Sequence, residues 1–84
     1  MARRLLTNAQ LLALEASPAT DTHFRWVLNW TRHQHDMGTA KALAALHQAG
    51  HSVEVARWDL SYGFTVDGAF RTAAQVRALA GMTA

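Results

Sequence analysis

The sequence predicts a small α+β domain in the order α-α-α-β-β-α: three N-terminal helices, a β-hairpin and a C-terminal helix. Three observations predict it. Thr7-x-x-Gln10 and Thr72-x-x-Gln75 are capping boxes that open the first and last helices. Gly50 closes the third helix. After Gly50 the apolar spacing changes from a helical period to alternation, Val53-Glu54-Val55 and then Phe64-Thr65-Val66. The 84 residues are too few for two domains or for a Rossmann or barrel enzyme, so residues 1–84 read as one domain, with 1–6 as a loosely ordered start.

The first helix follows Thr7, with Leu6 and Leu11 in the staple positions, and Ser17-Pro18 stops it near Ala16. Leu11, Leu12 and Leu14 do not share one face, so it needs contacts on two sides. The second helix starts at Thr20 or Asp21, either a good N-cap, and runs through His35. Phe24, Val27, Leu28, Thr31, Trp30 and Trp26 cover a wide apolar arc, while Arg25, Asn29, Arg32 and His33 share the other side. The third helix is expected to be capped by Thr39. Leu43 and Leu46 anchor it, and five alanines between Ala40 and Ala49 let a neighbouring helix approach closely.

From Ser52 the chain reads as a strand. Its apolar set slips near Ala56, from Val53/Val55 to Ala56/Trp58/Leu60, which predicts a bulge. Ser61-Tyr62-Gly63 is the expected turn, Phe64–Val66 the return strand, and Val76, Leu79 and Ala80 the buried stripe of the last helix, which Gly81 stops. A rival reading makes 40–60 a helix-turn-helix with 52–60 as recognition helix and 64–70 as wing, loosely resembling a winged-helix or excisionase-like DNA-binding domain. The Val53-Glu54-Val55 run favours the strand.

Composition excludes several chemistries. There is no cysteine, hence no disulfide, cysteine-based zinc site or thiol nucleophile. The apolar half of the chain is too large for a disordered tail. No apolar run spans a bilayer and the N-terminal apolar stretch is too short for a signal peptide, so no membrane role and a cytoplasmic location are expected. The net charge is +2 and the pI 9.9, but Arg3 and Arg4 carry the excess. From Leu5 onward six basic residues balance six acidic ones, which argues against a broad phosphate-binding face.

Candidate chemistry concentrates in three places. His33, His35 and Asp36 could ligate a metal, but on a helix the two imidazoles stand about 200° apart, and a polar helix end accounts for them. His47 and His51 have i,i+4 spacing, which Gly50 breaks; a half-buried His47 beside the core is the expectation. The six carboxylates form no obvious acid–base pair, and there is no Gly-rich phosphate loop or nucleophilic serine context. No cofactor, no metal and no catalysis are therefore expected.

The aromatic set carries most of the functional information. Three tryptophans exceed what so small a core easily buries, and Trp and Arg dominate binding hot spots. Trp26, Trp30, Arg32, Arg57, Trp58 and Tyr62 are the candidate partner-binding residues, with at least two of the tryptophans expected in the core. The function expected is that of a non-catalytic binding or regulatory module on a larger protein, a format shared by phage and mobile-element inhibitors of host machinery. Strand addition with a second copy would give a homodimer. Nucleic acid is the alternative partner, with Arg57, Arg71, Arg77 and Lys41 on one face and Arg3 and Arg4 as an arm.

Overall fold

The computed structural model describes residues 6–58 and 61–81, and at Arg57, Trp58 and Ser61 the backbone alone. The element order is α1 (Asn8–Ala16), α2 (Thr22–Gln34), α3 (Met37–Gln48), β1 (Val53–Trp58), β2 (Ser61–Val66), β3 (Ala69–Arg71) and α4 (Ala73–Leu79). The α+β class, the hairpin and the helix order match the sequence reading, and a third strand extends it.

Local chemistry explains most boundaries. Both capping boxes are closed: Thr7 Oγ1 accepts from the Gln10 N–H at 3.1 Å, and Thr72 Oγ1 from the Gln75 N–H at 3.2 Å. In return each glutamine Oε1 accepts from the threonine N–H at 2.9 Å. Asp21 caps α2 through the Phe24 N–H. The α3 cap is Asp36, not Thr39. Its Oδ1 accepts from the Thr39 N–H at 2.6 Å, which adds a turn to the helix and leaves Thr39 buried inside it. Gly50 follows α3 at φ +99°, the left-handed position that a side chain would strain.

The three strands form one antiparallel sheet in the order β1-β2-β3. β1 and β2 pair in unbroken register from Val53↔Val66 to Trp58↔Ser61, so the bulge expected at Ala56 is absent. The slip in apolar pattern has another cause: Ala56 faces Gly63, a small pair on the sheet side opposite the helices. Tyr62 and Gly63, expected in a turn, lie within β2, and the connection falls at 59–60, outside the described residues. The third strand arises from Asp67-Gly68, both at positive φ (52° and 85°), between the paired Val66 and Ala69. Two residues with positive φ make the hairpin loop whose twist suits antiparallel strands.

One sheet face carries Val53, Phe64 and Val66, all buried, and the helices pack against it. They meet Leu11 of α1, Phe24, Val27 and Leu28 of α2, Leu43 and Leu46 of α3 and Val76 of α4 in one core. The alanines of α3 do what the sequence suggests. Ala40, Ala42, Ala44 and Ala45 are buried, and α2 and α4 both pack on that slim helix. No described helix is long and apolar enough to cross a membrane.

The helix-turn-helix alternative fails on this topology. Val53–Trp58 is a paired strand, so no recognition helix follows α3. β-branched residues at 53 and 55 pay less in extended backbone and fill the sheet's inner face.

Candidate aromatic docking face

α2 positions the site. It buries Phe24, Val27, Leu28 and Thr31, and the last of these spends its hydroxyl on the Val27 carbonyl at 2.7 Å. With that stripe fixed, helical geometry puts His23, Trp26 and Trp30 along its flank, one turn apart. Their rings form a ladder. His23 and Trp26 stack with centroids 6.1 Å apart, and Trp26 and Trp30 at 6.4 Å. The ladder then crosses to the sheet, where Trp30 meets Tyr62 at 5.4 Å. Tyr62 lies on the helix-facing side of β2, two residues beyond the buried Phe64, and so reaches past the core edge to Trp30.

Trp26 is 53% exposed and Tyr62 is 52% exposed. Trp30 between them is half-buried and rests edge-on against Phe64. His35, the C-cap of α2, closes the group by touching both Trp30 and Phe64. Rigid aromatic area anchored in a core offers contact at low entropic cost.

The charged residues of α2 itself are all basic. Thr22–Gln34 contains no acidic residue and carries Arg25, Arg32 and two histidines. Arg32 is spoken for: its Nε and Nη2 donate to the two oxygens of Glu15 at 2.8 and 3.2 Å, and those bonds raise its pKa. It therefore clamps α1 to α2, where a docking role was expected. Among the described residues, Arg25 has only a 3.3 Å bond from Nη2 to Thr22 Oγ1. His23 contacts Glu54 at 3.4 Å.

The structure brings Trp26, Trp30 and Tyr62 together and holds Arg32 on Glu15 of α1. The side chains of Arg57 and Trp58 lie outside the described residues. Sequence reasoning missed His23 and His35. Their i+3 and i+5 relations to Trp26 and Trp30 are visible in the sequence, but His35 reads there as a metal candidate and His23 carries no role.

The metal candidates are dispersed. Asp36 is used as a cap, which, chiefly through the Thr39 N–H, holds its carboxyl below the ordinary value. The Nδ1 of His33 lies 2.8 Å from the Asn29 carbonyl. Among the described residues no cluster of three or more His, Asp or Glu side chains could hold a metal ion. His47 is exposed rather than half-buried, yet its ring stacks face-on against Phe24 at 3.7 Å. His51 Nδ1 meets Asp67 Oδ2 at 2.6 Å, tying the end of α3 to the β2–β3 turn. That bond, with a second from the Ser52 N–H, lowers the Asp67 pKa. His23, His47 and His51 border a cleft of about 330 Å³ beside the ladder.

Comparison with protein-family models, curated proteins and solved structures finds no match to this chain.

Proposed function

We propose that this protein is a small non-catalytic binding and regulatory module that docks on a larger protein through the His23–Trp26–Trp30–Tyr62 ladder. One observation carries the reading: two large aromatic side chains stay half exposed while linked by a third to the core. Leaving Trp26 in water forgoes roughly 2 kcal/mol of burial, which a partner surface would recover. The partner's chemistry follows from the rings, which offer a largely apolar surface. The matching surface is apolar at its centre.

Site-specific photocrosslinking in the native host tests this. A photoreactive phenylalanine analogue at position 26 should give a discrete protein adduct, and the same group at the exposed Leu12 of α1 should not. Tyr62→Ala, combined with position 26, should reduce that adduct at least about fivefold. Equal adducts from both positions, an adduct indifferent to the Tyr62 substitution, or an adduct only with a second copy of this chain would reject the reading.

A further inference from the structure

A second feature stands apart from the ladder. Arg71 ends β3 on the helix-facing side of the sheet, opposite Phe64. Its Nε is buried and, among the described residues, has no hydrogen-bond partner. A buried donor without an acceptor is costly and uncommon in native structures. Arg25 also has a buried, unpaired Nε, but its guanidinium already reaches Thr22 and it lines none of the clefts described here. Among the described residues Arg71 has no such bond, and it lines two adjoining clefts, of about 260 and 290 Å³.

The surroundings of Arg71 specify a ligand. Leu79, 49% exposed, lines both clefts, and Leu46 and Val66 wall the larger one. Gln75 borders the smaller one. Its Oε1 is consumed by the Thr72 N–H, so its amide NH2 is the part left to donate. Asp67 and His51 also border the larger cleft, where they are bonded to each other, and the Asp67 carboxylate also accepts from the Ser52 N–H. The polar groups left over at Arg71 and Gln75 are therefore donors, next to aliphatic walls.

We propose that the cleft between β3 and α4 binds a carboxylate that carries a short aliphatic body. The carboxylate takes the Arg71 guanidinium and the Gln75 amide, the pairing in which arginine is strongest. The aliphatic part covers Leu79. A free alkyl acid and the C-terminal carboxylate of a chain ending in an aliphatic residue share this chemistry.

The test is NMR of the full chain, reading the Arg71 Nε–H and the Gln75 side-chain amide. Hexanoate should shift both, with a Kd on the order of 1 mM. N-acetyl-leucine should do so too, and N-acetyl-leucinamide should not. Whichever acid binds more tightly identifies the source. Arg71→Met should lose the response, Arg71→Lys should weaken it about tenfold and Leu79→Ala several-fold. Without ligand, Arg71→Met should melt at or above the wild-type temperature, because it removes the unpaired donor. No shift with either acid, or equal shifts with hexanol or inorganic phosphate, would overturn the proposal.

Discussion

The ring of Phe70 lies across Gly63, so close that a Cβ at position 63 would stand 2.4 Å from Phe70 Cζ and 2.9 Å from the Arg71 carbonyl oxygen. Glycine is thus required in the middle of β2 for approach, not for its own dihedral freedom. Gly63→Ala should destabilise by about 1–3 kcal/mol, because the ring can swing away but the carbonyl cannot. Phe70→Ala should relieve only the ring's share. In a denaturant double-mutant cycle the two changes should couple by more than about 0.5 kcal/mol. Additive costs would mean that the ring and the glycine act independently.

The tryptophans should separate by stability. Trp26→Ala removes a half-exposed ring and should cost less than about 1 kcal/mol. Trp30→Ala removes the ring that leans on Phe64, His35 and Tyr62 and should cost about 2–4 kcal/mol. Urea midpoints decide it. Equal costs would place Trp26 in the fold's support and weaken its assignment as a docking residue.

The fold was legible wherever one residue type answers one local need. Two Thr-x-x-Gln boxes, the cap at Thr20 or Asp21, Gly50 and the Val53-Glu54-Val55 alternation located four helices and a hairpin. β3 was missed although Asp67-Gly68 is a strong hairpin signal, because only Ala69-Phe70-Arg71 follows it before the Thr72 cap. Three residues show too little alternation to stand out. The α3 start was misread because Asp36 and Thr39 are both good caps, and only the backbone direction selects between them. The site was legible in part. Trp26 and Trp30 share a helix flank by spacing alone, but the approach of Tyr62 depends on sheet register, which no local pattern states.

The β2–β3 turn should discriminate among side chains at position 67. Asp67 sits at φ +52° and accepts from both His51 and the Ser52 N–H. Asparagine tolerates the left-handed region and keeps an acceptor for Ser52. Alanine does neither. Melting temperatures should therefore fall in the order wild type, Asp67→Asn, Asp67→Ala. An alanine variant as stable as the asparagine one would mean that neither the turn geometry nor the Ser52 bond contributes.

Acid sensitivity should come from Asp36 and Asp67. Both carboxyls are held below their ordinary values in the folded state: Asp36 first by the Thr39 N–H, Asp67 first by its bond to His51. A depressed folded pKa means that the unfolded chain takes up these protons first as pH falls. The stabilisation is therefore complete above the ordinary carboxylate range near pH 4, and is lost as pH drops through the lower folded values. Asparagine at both positions retains a capping oxygen but removes the titration. The Asp36→Asn/Asp67→Asn protein should be less stable than wild type at pH 7, and its denaturant midpoint should fall less steeply below about pH 4. Midpoints measured from pH 7 to pH 2 give the comparison. If the two proteins lost stability in parallel over that range, the acid response would have to arise from other carboxylates.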